Sequence, residues 1–113
     1  MKTLLITITL LFISVTFSDA EIKQWCVANK EAPDDVLQAA LESACQHGGA
    51  DCSKIKPNNP CFLPNTIKDH ASFVFNIYYQ NYKHKGGFCY FNRAAMITDR
   101  DPSRGSCHYE YIP

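Results

Sequence analysis

The chain has 113 residues, 11 basic and 11 acidic, and six cysteines. That length accommodates one small domain and excludes barrels and dinucleotide-binding folds. Zero net charge argues against a phosphate-neutralising nucleic-acid binder and against a cationic membrane-active peptide.

Residues 1–20 read as a secretory signal peptide. Lys2 is the positive start, Leu4 to Phe17 is apolar apart from Thr and Ser, and Ser18-Asp19-Ala20 supplies small residues before a cleavage point. The run is shorter than the roughly 20 apolar residues of a membrane span. No second apolar stretch and no lipid-anchor tail follow, so the expected product is a soluble, secreted, extracellular domain of residues 21–113 without a membrane anchor. A monomer is expected.

Those 93 residues hold only 18 Leu, Ile, Val, Met and Phe, a small core for the length. Cys26, Cys45, Cys52, Cys61, Cys89 and Cys107 are therefore expected to form three disulfides. Six cysteines permit 15 pairings, and spacing does not choose among them. No C-x-x-C pair is present, so neither structural zinc nor a redox motif is expected.

The segment 21–32 reads as irregular or a short strand, with Trp25 beside Cys26. Pro33 suits a first helical position, Asp34 and Asp35 favour a helix N-terminus, and Val36/Leu37, Ala40/Leu41 and Ala44/Cys45 recur at helical spacing. A helix over 33–46 stopped by Gly48-Gly49 follows. Residues 47–65 form a loop pinned by Cys52 and Cys61. Asn65 or Thr66 caps a second helix over 66–83, which Gly86-Gly87 ends. The last third reads as strands over 88–92, 94–98 and 106–111, with a turn at Asp-Pro-Ser-Arg-Gly. The fold class is α+β, two helices with a small antiparallel sheet.

Eight of the twelve aromatics of residues 21–113 fall between Phe73 and Phe91. Phe73, Phe75, Phe88 and Phe91 are expected to build the core. The tyrosines are harder to bury, because each hydroxyl needs a partner. An exposed tyrosine has an apolar ring face and a polar edge, which matches the C–H face and hydroxyl rim of a sugar. Asn76, Gln80, Asn81 and Asn92 lie among them and offer hydrogen bonds to hydroxyls. The opposing reading is a solvated polar helix face.

An enzyme would need an acid–base pair. His70 and His108, with Lys68 or Lys85, are candidates for phosphodiester cleavage, but His70 lies near the apolar stripe and reads better as a hydrogen-bonded core or capping residue. Glu42, Asp51, Asp69, Asp99 and Asp101 show no spacing that favours a glycosidase pair. There is no nucleophile elbow, calcium loop, P-loop or glycosylation sequon.

Several motifs together resemble a known family: Trp25-Cys26-Val27-Ala28, Gly48-Gly49-Ala50-Asp51-Cys52, Pro60-Cys61-Phe62, His70-Ala71-Ser72-Phe73, Phe75-Asn76, Tyr78-Tyr79-Gln80, Cys89-Tyr90-Phe91, Asp101-Pro102-Ser103 and Gly105-Ser106-Cys107. The chain resembles carbohydrate-binding module family 43, the six-cysteine callose-binding domain of plants, in its stand-alone secreted form, which includes pollen allergens. The resemblance implies a non-catalytic domain of the plant cell wall that binds β-1,3-glucan without a cofactor or metal. It also implies the pairing Cys26–Cys89, Cys45–Cys52 and Cys61–Cys107. Family members often carry Gly at the position of Arg93 and Tyr at that of Phe73. The sugar contacts expected are Asn76, Tyr79, Gln80, Tyr82, Tyr90 and Asp101. The alternatives are a small secreted hydrolase, ribonuclease- or glycosidase-like, and an extracellular protein-binding module with an exposed apolar patch.

Overall fold

A computed structural model describes residues 22–113; the expected signal peptide lies outside the described residues. Strand β1 (Trp25–Ala28) is followed by helix α1 (Asp34–Gln46), helix α2 (Ile67–Tyr82) and strand β2 (Ala95–Thr98), with short 3-10 turns at Ser53–Ile55 and Lys83–Lys85. The strands pair antiparallel from Trp25 opposite Thr98 to Ala28 opposite Ala95. The α+β class of two helices with a small antiparallel sheet is thus the observed one.

Each helix begins one residue later than its sequence signals suggest. Pro33 is extended (ψ 153°) and stands at the N-cap of α1 rather than inside it. Thr66 caps α2, its hydroxyl accepting from the Asp69 amide at 3.1 Å. After α1 the chain reverses at Gly49, whose φ of +71° suits glycine. The Ala50 amide then closes on the Ala44 carbonyl.

Helix α2 is the central element, contacting both α1 and β1. Its Ala71, Val74 and Phe75 meet Leu37, Leu41 and Ala44 of α1 and Cys26 and Ala28 of β1 in the main core. Phe73 turns into a second cluster with Trp25, Cys61, Cys107 and Tyr109. Apolar residues therefore surround much of the helix, as expected of an element covered on more than one side. Three disulfides, Cys26–Cys89, Cys45–Cys52 and Cys61–Cys107, join these parts in the pairing the family resemblance implied.

Two expected strands are absent. Residues 88–90 are irregular and 91–94 form a turn, because Phe91, Asn92 and Arg93 are all left-handed, with φ of 48°, 55° and 68°. Residues 106–111 are irregular apart from an isolated bridge between Arg104 and Cys107. Here side chains replace a strand partner. The Glu110 carbonyl accepts from Asn76 Nδ2 at 2.8 Å, the Ile112 amide donates to Gln80 Oε1 at 3.0 Å, and the Tyr109 amide donates to Ser103 Oγ at 2.8 Å. Helix α2 holds the C-terminal segment through Asn76 and Gln80, and the Cys61–Cys107 bridge ties the segment to the loop before α2.

Tyr109 packs edge-on against Phe73 with centroids 5.3 Å apart, and burial pushes its phenol up to about 12. Below pH 10 the phenol is neutral in folded and unfolded chains alike, and its contribution to stability is complete. Above about 10, the ordinary tyrosine value, only the unfolded chain loses the proton, so stability falls until about pH 12. Tyr109→Phe is expected to lose less stability between pH 10 and 12 than the wild type in urea unfolding at each pH. Parallel pH profiles would refute this assignment.

Candidate functional site

The site forms where the end of α2 meets the loop leading to β2. Tyr79 and Lys83 supply one wall, Phe88 and Tyr90 the other, and Ile97 of β2 part of the floor; the hollow between them is about 550 Å³. The loop is fixed at both ends of this wall. Gly87 lies against Tyr82 so closely that a Cβ there would stand 2.7 Å from the Tyr82 Cβ and 2.9 Å from its carbonyl oxygen. Two residues later Cys89 is bonded to Cys26, which is fully buried in β1.

That tether leaves Phe88 and Tyr90, on either side of Cys89, facing outward, with exposures of 77% and 54%. Ile97, on the floor, is itself 36% exposed and adds apolar surface to the groove. Lys83 is held on the opposite wall. Its ammonium donates to Gln80 Oε1 at 2.8 Å and stands over the Tyr111 and Tyr79 rings, 4.4 and 5.6 Å from their centroids. The result is a shallow groove with aromatic faces, one phenolic edge on each wall and a fixed cation at the rim. It can stack against the C–H face of a ring and hydrogen-bond its hydroxyls.

The six residues singled out from the sequence do not share one location. Tyr79 and Tyr90 lie in the groove. Tyr82 is half-buried behind it, 4.9 Å from the Tyr78 ring, with its hydroxyl close to Gly49. Asn76 and Gln80 are interior, with 1% and 2% exposure. Asn76 Oδ1 accepts from the Cys26 amide at 3.1 Å and from Gln80 Nε2 at 3.0 Å, and Gln80 Nε2 also donates to the Gln24 carbonyl at 3.0 Å. These amides join β1 and the C-terminal segment to α2 and are not offered to a ligand.

Asp101 is exposed but does not line the groove; its carboxylate accepts from the Ser103 amide at 2.9 Å. The Ser103 hydroxyl and amide hold its carboxyl below the usual range, as expected of an acid that closes a turn.

Phe88, Lys83 and Ile97 are groove side chains absent from the expected contacts. Of the four phenylalanines expected in the core, Phe73 and Phe75 are buried and Phe91 is half-buried, but Phe88 is exposed. No local pattern marks it: Phe88 precedes Cys89, and the Cys26–Cys89 pairing that positions it cannot be read from cysteine spacing.

The histidines divide as well. The His70 ring nitrogen Nε2 is 2.7 Å from the Phe62 carbonyl oxygen, consistent with a structural role. His108 is exposed in a separate small hollow with Asp51, Lys54 and Glu110.

Among the described residues no cluster of His, Cys, Asp and Glu could hold a metal ion, and no helix is long and apolar enough to cross a membrane. Comparison with known proteins gives a consistent family. The X8 domain matches residues 24–96. Glucan endo-1,3-beta-glucosidase 4 of Arabidopsis thaliana is 51% identical over 85 residues, 75% of this chain but 17% of that enzyme. Plasmodesmata callose-binding protein 5 of the same plant is 44% identical over 89 residues, covering 79% of this chain and 49% of that protein. Major pollen allergen Ole e 10 of Olea europaea is 41% identical over 87 residues, 77% of this chain and 71% of the allergen. The chain therefore spans less than a fifth of the glucosidase and most of the allergen. With its six-cysteine frame and two-helix core, the chain belongs to the X8 domain family.

Proposed function

We propose that this protein is secreted to the plant cell wall and there binds β-1,3-glucan, without catalysis, in the groove between Tyr79 and the Phe88–Tyr90 loop. The observation that carries the reading is the outward display of Phe88 and Tyr90 by the Cys89 tether, opposite Tyr79. Exposed aromatic surface costs hydration free energy, and a tether that maintains it suits a ligand with apolar ring faces. Support also comes from the family, whose members include a protein named for callose binding. An uncharged polymer also fits a chain with no net charge. No proton transfer or cofactor is required, and the partner is the polysaccharide alone.

Phe88→Ala and Tyr90→Ala are each expected to weaken binding of laminarin-type oligosaccharides about five- to thirtyfold, equivalent to about 1–2 kcal/mol of lost stacking and area burial. Both side chains are exposed, so the melting temperature should hardly change. Calorimetric titration of both variants checks this, with a thermal melt as control. Undiminished affinity in both would remove the groove from the binding account.

A further inference from the structure

We propose that the binding groove continues beyond Tyr90, across the left-handed turn of residues 91–93 and onto the exposed side of α1, and that Arg93 determines affinity for longer glucan chains there. This inference rests on the glucan reading above. Three hollows of similar size, about 550, 580 and 540 Å³, run in series. The first and second share Tyr90, and the second and third share Val36 and Asn92. The shared lining residues link Tyr79 at one end to Ser43 at the other.

The turn at the junction is conformationally expensive. Residues with a Cβ visit the left-handed region singly as a rule, yet Phe91, Asn92 and Arg93 occupy it in succession. The core and the adjoining backbone hold them there. Phe91 stacks on Phe75 with centroids 4.5 Å apart and planes 13° from parallel. The Arg93 carbonyl accepts from Asn29 Nδ2 at 3.1 Å, and the Ala94 and Ala95 amides close on Phe91 and Tyr90.

What the turn produces is a pair of exposed polar side chains, Asn92 where the second and third hollows meet and Arg93 on the wall of the second. Neither side chain makes a hydrogen bond or ion pair with another described residue. Glycine would satisfy the backbone at Arg93 more cheaply. The guanidinium, with five donors, is what that strain secures.

The chemistry of the continuation selects the occupant. Arg93 and Asn92 supply donors, Glu31 and Asp35 acceptors, and Val36 and Ala39 an apolar floor. A mixed rim of both signs over an apolar strip fits a neutral, hydroxyl-rich chain and disfavours an anionic polymer. A disaccharide would occupy the Tyr79–Tyr90 hollow alone; a hexasaccharide would extend over the turn.

The test compares laminaribiose and laminarihexaose on the wild type, Arg93→Gly and Arg93→Asn, with backbone amide shifts and melting temperature followed together. In the wild type, hexaose is expected to bind about tenfold tighter than biose and to move the Val36, Ala39 and Ser43 amides, which biose leaves in place. Arg93→Gly is expected to melt about 4 °C higher, because the left-handed strain is relieved. It should lose about fivefold in hexaose affinity while retaining biose affinity, and Arg93→Asn, which tolerates the same φ, should show the same split. Unmoved α1 amides, unchanged hexaose affinity in both variants, or equal losses for both sugars would each overturn the continuation while leaving the Tyr79–Tyr90 groove standing. Failure of the wild type to bind either sugar would overturn the glucan reading and this inference with it.

Discussion

Replacing Asn76 with alanine is expected to cost about 3–4 kcal/mol, one of the largest single-residue effects in the molecule. The side chain is 1% exposed and joins three parts of the fold. Its oxygen accepts from the Cys26 amide and from Gln80, and its amide group donates to the Glu110 carbonyl. Truncation leaves the Cys26 N–H and the Glu110 carbonyl without their partner. The buried Cys26 N–H, left as an orphan, costs about 1–3 kcal/mol, and the part-buried Glu110 carbonyl and the space left by the amide add to it. Gln80 loses less, because its Nε2 also donates to the Gln24 carbonyl. Urea unfolding of the oxidised variant measures the effect, and a loss below about 1 kcal/mol would show that these bonds contribute little to holding the segments together.

Removing the Cys26–Cys89 bridge should cost about 4 kcal/mol and abolish binding in the same step. The bridge spans a sequence separation of 63, against 46 for Cys61–Cys107 and 7 for Cys45–Cys52. Loop-closure entropy alone ranks them at about 4.3, 4.0 and 2.5 kcal/mol. Expected stability for a domain of this size is about 5–14 kcal/mol, so losing either long-range bridge removes a large fraction.

Only the Cys26–Cys89 bridge also holds the groove wall, since Cys89 lies between Phe88 and Tyr90. Paired Cys→Ala variants separate the two effects. The Cys45/Cys52 pair should melt lower but bind laminarin oligosaccharides normally. The Cys26/Cys89 pair should lose binding even at a temperature where circular dichroism shows retained helices. Normal binding by that second pair would mean that the loop needs no tether.

The helices were legible because their signals are local. Thr66, the Asp34-Asp35 pair and the glycines after each helix act within one turn of the positions they mark, and both helices fall within one residue of their expected ends. The sheet was legible only in part, because strand identity depends on a partner. Ala95–Thr98 has β1 beside it. Residues 106–111 carry a similar pattern, but the Glu110 carbonyl is taken by Asn76 and the next amide on, Ile112, by Gln80.

The same long-range bonds explain why only some of the six residues expected from the sequence lie beside the groove. Asn76 and Gln80 look like sugar-binding amides in sequence, and nothing local reveals that a strand 50 residues earlier and a segment 34 residues later claim them. Tyr79 and Tyr90 were legible as polar-edged aromatics. Phe88 was not, because its exposure follows from a disulfide pairing that spacing does not specify. Arg93 stands where the family resemblance implied glycine, and the structure shows that the left-handed φ is adopted regardless.

The central claim is that a β-1,3-glucan occupies the groove of Tyr79, Phe88 and Tyr90. A two-dimensional NMR titration of the oxidised protein with laminari-oligosaccharides, against cello-oligosaccharides as control, tests it most directly. The expected result is saturable movement of the amides of residues 87–90 and of Tyr79 and Ile97, with the β-1,3-linked sugar only. Absence of any shift at millimolar sugar, or equal shifts with both linkages, would contradict it.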